Sequence, residues 1–340
     1  MPPQHQVTLA QVAEAAGVSI ATASRAINGS TRKVSEVIRA RVRRTAEELG
    51  YLPNLSAQTV VKGASPTVAV LVSDIADPYF SAISSGIMAG ARQAGLMVTM
   101  ATSERRSADE RDMIRTFRSQ RPRAIVVVGS RWDEDPEAQA IEEQLTAYQQ
   151  AGGRVVMVSQ GPSPFDLVEI QNVEGARALA HALVDQGGQH FGVVLGYRGL
   201  RTNADRLAGF AQGLAERGIT LQEETVAEGA FTRDGGYAAM GELLGRDLEL
   251  DTVFATSDLM AFGAGTAMRE AGLQPGVQIG LAGFDNIALS EDVTPALTTV
   301  DVPLGQIGRH AMDLALSDHE EARTIEIPTS VILRASTPVR

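Results

Sequence analysis

Residues 7–29, VTLAQVAEAAGVSIATASRAING, decide how the first part of this chain is read, and residues 34–54, VSEVIRARVRRTAEELGYLPN, complete the unit. Thr8 precedes an apolar-periodic run, Leu9, Val12, Ala13 and Ala16, with Gln11 three residues on, so Thr8 caps a first helix as half of a capping box. Gly17 breaks the pattern. Ser19 caps a second helix over Ile20 to Ile27, Asn28-Gly29 turns the chain, and Ser35 caps a third that carries Ile38, Val42, Ala46 and Leu49 as far as Gly50. The tight link Ala16-Gly17-Val18-Ser19 sets the second helix across the first, as insertion of a helix into a DNA groove requires. Three capped amphipathic helices also occur in ordinary bundles, so the pattern alone leaves both readings open.

Charge divides along the chain. Residues 1–63 hold eight Lys/Arg (Arg25, Arg32, Lys33, Arg39, Arg41, Arg43, Arg44, Lys62) against four acids, a net +4 within a chain of net −11. The remainder is therefore at −15, and a basic head on an acidic body directs phosphate contact to the head. Arg41, Arg43 and Arg44 are equally readable as the solvated face of a helix. With no Cys, neither a disulfide nor a thiolate metal site is available. The start, MPPQHQVTLA, has no apolar core of a signal peptide, and no later stretch is long enough to span a bilayer, so a cytoplasmic protein without membrane contact is expected.

The ordered set Val12-Ala13, Ala16-Gly17-Val18-Ser19, Thr22, Ser24-Arg25, Asn28 and Gly50-Tyr51, then Pro53-Asn54, resembles the LacI/GalR family of bacterial transcription regulators, and the similarity continues through most of the chain. The resemblance implies a small all-α helix-turn-helix DNA-binding domain (1–54), a hinge helix and linker (55–66) and an α/β effector-binding body (67–340). That body would be two doubly wound parallel-sheet lobes of periplasmic-binding-protein type, one at about 67–168 and 302–326, the other at about 169–301 and 327–340. In the family, Ile20, Ala21 and Arg25 fall on positions that read bases. Arg25 can bond a guanine bidentately, worth about 1–3 kcal/mol of discrimination. Ile20 and Ala21 offer apolar contact only, and core packing is the alternative for Ile20. Thr8, Ser19, Thr22, Ser24 and Asn28 suit phosphates, which position the domain without reading sequence. The family's hinge helix orders on DNA and wedges a leucine into the minor groove; here Asn54 and Ala57 lie in that stretch and Val60 stands where the leucine is expected. One methylene less costs about 0.8 kcal/mol of burial, which predicts a shallower kink.

From residue 67 onward, apolar runs alternate with amphipathic helical stretches, which argues for parallel sheets independently of any resemblance. Strands are expected at Val68–Val72, Met97–Ala101, Ala124–Gly129, Val155–Ser159, Val168–Gln171, Phe191–Gly196, Val226–Ala230, Val253–Ser257, Ile279–Phe284 and near Ser330–Ala335. Gly95, Gly152, Gly187, Gly218, Gly245 and Gly272 are expected to end helices as left-handed caps. Ligands in such folds lie beyond the carboxyl ends of the strands, which places Asp77, Tyr79, Phe80, Ser103-Glu104-Arg105, Ser130-Arg131-Trp132, Ser159-Gln160, Arg198, Arg206, Phe231, Ser257-Asp258 and Asp285-Asn286 around a cleft. Arg forks, carboxylates and aromatic faces suit a hydroxyl-rich ligand. The family match assigns effector contact to Arg206, Asp285 and Phe231, and to Tyr79 and Phe80 from the first lobe. Trp132, Arg198, Ser159 and Ser257 complete the candidate set, the last two standing where lactose-type relatives carry Asp and Asn. An Arg206–Asp285 bridge that only closes the lobes, and a core role for Phe231, are the competing readings.

No catalytic or cofactor pattern emerges. Gly263-Ala264-Gly265 lacks the third glycine of a dinucleotide loop and sits inside a helical pattern, and His5, His181, His190, His310 and His319 have no metal-ligand spacing. The family implies a homodimer on a pseudo-palindromic double-stranded operator, most simply a repressor controlled by a carbohydrate. A purine corepressor stacked on Tyr79, Phe80 and Phe231, and a transporter's solute-binding module, are the alternatives. No leucine heptads follow Ser330–Ala335, which favours a dimer over a coiled-coil tetramer.

Overall fold

The computed structural model describes residues 7–28, 34–52 and 65–339. The chain divides into two compact units, Met1–Ser65 and Pro66–Arg340. In the first, α1 (Leu9–Ala15), α2 (Ile20–Asn28) and α3 (Glu36–Glu48) pack around Val12, Ala13, Ala16, Ala23, Ala26, Val42 and Ala46. Thr8 and Gln11 form the complete capping box, Ser19 accepts from the Thr22 amide at 3.1 Å, and Ser35 accepts from that of Ile38 at 3.4 Å. Gly17, at φ +63°, takes the left-handed turn that frees α2 to cross α1. Asn54, Ala57 and Val60, the expected hinge residues, lie outside the described residues, as do Gly29 and Pro53.

The second unit is built on two parallel sheets. The first runs β11-β5-β4-β3-β1-β2, with β1 (Thr67–Val72), β2 (Met97–Thr102), β3 (Ala124–Val128), β4 (Arg154–Ser159), β5 (Asp166–Ile170) and β11 (Thr324–Ile327). Strands β1, β3 and β4 are near-continuous Val/Ile runs because helices cover both faces. Those helices are α4 (Pro78–Gln93) and α11 (Leu304–Leu316) on one side and α5 (Ser107–Gln120) and α6 (Ala138–Gln150) on the other. The second sheet runs β7-β6-β8-β9, with β6 (Phe191–Leu195), β7 (Val226–Glu228), β8 (Thr252–Ala255) and β9 (Gly280–Ala282). It is flanked by α7 (Asn172–Asp185), α8 (Arg201–Ala215), α9 (Arg233–Leu244) and α10 (Asp258–Glu270). A short antiparallel pair, β10 (Thr299–Asp301) with β12 (Ser330–Ile332), lies on the return path of the chain. The chain thus passes between the sheets after β5, after β10 and after β11.

Two differences from the sequence reading have clear causes. Gly245 is helical at φ −72°, and the left-handed residue that ends this segment is Asp247 at φ +53°. Strands β10 and β11, three and four residues long, are absent from the expected set, since neither Thr299–Asp301 nor Thr324–Ile327 forms a continuous apolar run. Gly263 and Gly265 lie inside α10, and a Cβ on Gly263 would sit 1.8 Å from the Arg233 carbonyl oxygen. That glycine therefore serves the close approach of α9, not a phosphate.

Candidate functional site

In the helical unit, the start of α2 presents Ile20, 56 % exposed, beside exposed Ala21, with Arg25 half-buried one turn on. This exposure rules out core packing for Ile20. Ser19 and Thr22 join their hydroxyls at 2.9 Å across the cap, and Thr8 holds Gln11, so all three hydroxyls lie at helix N-termini, where amides attract phosphate. Ser24 is half-buried on the same helix, and Asn28 is its last residue. Arg41, Arg43 and Arg44 are exposed on α3.

In the second unit the carboxyl ends of both sheets face a common cleft. Asp77 caps α4 by accepting from the Tyr79 amide at 3.0 Å, with Pro78 fixing the first turn, and this sets Tyr79 and Phe80 at the cleft wall. Phe231 comes from the loop before α9, whose Thr232 cap accepts from Gly235 at 3.1 Å. Gly196 makes room for it, since a Cβ there would lie 2.5 Å from the Phe231 ring. Arg105 reaches between the lobes, its guanidinium 5.8 Å from the Phe80 ring and 5.6 Å from that of Phe231, while pairing with Asp77 at 3.6 Å. Glu104 and Arg105 hold this place in left-handed backbone, at φ +50° and +58°.

Arg206, on α8, is 1 % exposed. It donates from Nε to Asn172 at 2.9 Å, from Nη1 to the Thr256 carbonyl at 2.6 Å and from Nη2 to Asp285 at 2.7 Å, with the Phe284 ring 3.8 Å from its guanidinium carbon. Asp285 is aimed by a strained turn after β9, with φ +110° there and +51° at Asn286. Hydrogen bonds from Asn286 to Asp301 and from Arg334 to Asn286, at 2.6 and 2.9 Å, hold that turn. Both ends of the Arg206–Asp285 pair belong to the second lobe, so it does not bridge the lobes. Burial, only partly offset by Arg206, pushes the Asp285 carboxyl up to about 6. Behind it, Asp258 is pushed to about 7 by burial, with the Asp285 charge adding, against hydrogen bonds from Thr299, Ser290 and the Ile287 amide. Burial also raises Asp77 and Tyr79, which keeps the phenol a neutral donor.

These residues, with Ser130, Arg131, Trp132, Gln160 and Thr202, close around a cavity of about 40 Å³. A sugar ring or purine enters only when the lobes part. Closure on one side is a main-chain clasp: Asp133 donates to the Gly199 carbonyl and Arg201 to that of Arg131, each at 2.9 Å, while Thr202 donates to Ser130 Oγ at 2.9 Å.

Three expected contacts are placed elsewhere. Arg198 turns outward, donating to Glu223 at 2.7 Å, because the acidic 223–228 segment lies beside it. Ser257 is consumed as the cap of α10, accepting from the Met260 amide at 3.3 Å. Ser159 is buried at the wall of a neighbouring pocket. Conversely, Glu110, Asp135 and Thr202 line the cavity without having been singled out, since Glu110 and Thr202 come from the first turns of α5 and α8 and Asp135 from the loop before α6, and not from the first residues past a strand.

The fold agrees with comparison to known proteins. Residues 8–54 match the model of bacterial regulatory proteins of the lacI family, and residues 180–337 match that of the periplasmic-binding-protein-like domain. The HTH-type transcriptional regulator CelR of Thermobifida fusca is 32 % identical over 98 % of this chain and 97 % of its own length. The chain belongs to the LacI family. A structure of this LacI-family member's relative CelR in complex with cellobiose aligns at TM-score 0.71 and 29 % identity, covering 97 % of this chain and 100 % of that one. The lac repressor dimer bound to operator aligns at TM-score 0.86 and 26 % identity, covering 98 % and 99 %. The protein is thus a DNA-binding transcriptional regulator of the family. No helix among the described residues is long and apolar enough to cross a membrane, and no metal-binding cluster occurs among them.

Proposed function

We propose that this regulator is a repressor, working as a homodimer, whose hold on a pseudo-palindromic operator is set by a neutral, hydroxyl-rich ligand bound between the two lobes. The observation that carries the ligand class is the charge pairing of the cleft. Each of its arginines already has a carboxylate: Arg206 with Asp285, Arg131 with Glu110 and Arg105 with Asp77. Asp135 lines the cavity as well. A phosphate or carboxylate ligand would have to compete with these acids, whereas a sugar shares the existing donors and acceptors and leaves the aromatic faces of Phe80 and Phe231 for its apolar side. The cellobiose complex of CelR supports a saccharide. In this reading Ile20, Ala21 and Arg25 read bases, Thr8, Ser19, Thr22, Ser24 and Asn28 position the head on phosphates, and Asn54, Ala57 and Val60 act at the operator centre. The ligand alters DNA affinity only through its preference for one lobe arrangement, typically about 1–3 kcal/mol.

The test is a pair of variants assayed against an operator selected from random DNA. Arg25→Ala loses roughly tenfold or more of its preference for operator over random DNA, and the ligand-induced rise in melting temperature survives. Asp285→Ala keeps operator preference and loses the ligand response. An Arg25→Ala protein that discriminates normally contradicts the base-reading role; a normal ligand response in Asp285→Ala contradicts the cleft.

A further inference from the structure

The acidic charge of the second unit has a local exception at the amino-terminal rim of its first sheet. Segments 65–73, 88–103 and 113–132 contain no Asp or Glu, although the chain outside residues 1–63 stands at −15. The register brings the ends of these segments together: β1 opens at Thr67, between β2 opening at Met97 and β3 opening at Ala124. In a parallel layer the helices run back against the strands, so α4 and α5 finish at the same rim. Arg92 lies in the last turn of α4 and Arg118 in that of α5, Arg121 caps α5, and Arg123 stands just before β3. Because α4 and α5 cover opposite faces of the sheet, these arginines flank the start of β1 on both faces.

Two features set this corner apart from an ordinary solvated surface. Elsewhere on the unit, exposed arginines such as Arg106, Arg217 and Arg233 hold a carboxylate. Arg92, Arg121 and Arg123 are exposed and make no ion pair among the described residues, while Arg118 donates to the neutral Gln144. The loop that carries two of them is also fixed. Arg121 stands in left-handed backbone at φ +48°, where glycine or asparagine is the usual helix cap. Pro122 is buried and its carbonyl accepts from Tyr148 Oη at 2.5 Å, and the Arg123 amide donates to the Thr67 carbonyl at 2.8 Å. A fixed backbone lowers the ordering cost of meeting a phosphate. The exposed acids of this rim, Asp318, Glu320 and Glu321, lie in the loop before β11, the edge strand farthest from β2, and Asp313 on α11 pairs with none of the four arginines.

The chain also enters the unit at this corner. Residues 53–64 join the head to Ser65, and twelve residues span at most about 43 Å when extended, so a head seated on its operator keeps the corner within reach of the duplex. We propose that Arg92, Arg118, Arg121 and Arg123 form a second DNA-contacting surface, which grips the phosphate backbone of the duplex that the head reads and carries no sequence preference of its own. The proposal rests on the DNA binding of the family and holds whatever ligand the cleft takes.

The experiment measures the affinity of the full-length protein for its selected operator and for random duplex, from about 50 to about 200 mM salt. Wild type is compared with Arg121→Gln/Arg123→Gln and with Arg177→Gln/Arg217→Gln, which removes the same charge from surface ion pairs of the second lobe. The corner variant is expected to melt as the wild type does and to bind both duplexes about tenfold more weakly at the low-salt end. Its plot of log affinity against log salt should be shallower by about 1 or more, with the operator-to-random ratio unchanged and the control variant following the wild type. A corner variant with wild-type affinity and slope overturns the proposal and leaves an acidic protein as the partner of this surface. An equal loss in the control variant overturns it as well, by assigning the effect to net charge, and so does a loss confined to the operator.

Discussion

Arg206 and Asp285 show what a single buried pair does at the residue scale. Removing either partner from such a pair typically costs about 3–5 kcal/mol, because the remaining charge has no water to turn to. Here Asn172 and the Thr256 carbonyl take the other guanidinium donors, so the arginine is fixed in place, and in the proposed reading the Asp285 carboxylate is the acceptor for a ligand hydroxyl. Burial lifts that carboxyl from 3.8 to about 6, so the native state binds its proton more readily than the unfolded chain does. Its contribution to stability therefore falls as pH rises across that interval. Ligand binding has the opposite sign, since a ligand donating to the ionised form loses its acceptor as pH falls. Affinity is expected to be about tenfold weaker at about pH 5 than at about pH 8, with the dependence absent in Asp285→Asn. Calorimetric titration with the ligand at both pH values checks this, and equal affinities would remove Asp285 from the contact set. The sequence made Tyr79, Phe80, Trp132, Arg206, Phe231 and Asp285 visible as cleft candidates, because the strand-end rule locates the loops. It could not orient side chains within them, so Arg198, Ser159 and Ser257 were read into a site whose cavity they do not line.

At the scale of elements, the clasp between residues 130–133 and 199–202 ties one lobe to the other. Its value can be measured cleanly at Arg201, the first residue of α8, where proline is tolerated and Leu200 already has the extended backbone that precedes proline, at φ −90° and ψ 117°. Arg201→Pro deletes the hydrogen bond to the Arg131 carbonyl and is expected to cost about 0.5–1.5 kcal/mol. It should also red-shift Trp132 emission as the lobes part; an unchanged spectrum would mean the clasp is not what holds them. The long helices and the central strands were legible from capping residues and apolar runs, since burial on both faces of a parallel sheet writes itself into composition. Strands β10 and β11 were not, because their own residues mix apolar with polar and charged ones, and what specifies them is pairing with distant partners: Val300 with Val331, and Ile325 with Val168. The clasp, likewise, is main-chain pairing that no side-chain pattern announces.

For the whole molecule, the division of charge and the two folded units state the same division of labour. A net +4 over residues 1–63 opposes −15 over the rest, so sequence-specific DNA contact belongs to the head, and in the proposed reading ligand chemistry belongs to the body with its paired charges. The central claim is that a neutral saccharide binds between the lobes. The most direct measurement is thermal melting of the full-length protein and Asp285→Ala side by side, against mono- and disaccharides, polyols, sugar phosphates and purines. A ligand at about 100 times its dissociation constant adds about 2.7 kcal/mol of stability. The account predicts that a neutral saccharide raises the wild-type melting temperature and leaves that of Asp285→Ala unmoved. A panel in which only phosphorylated sugars or purines stabilise the wild type, or a saccharide shift that survives in Asp285→Ala, would contradict it.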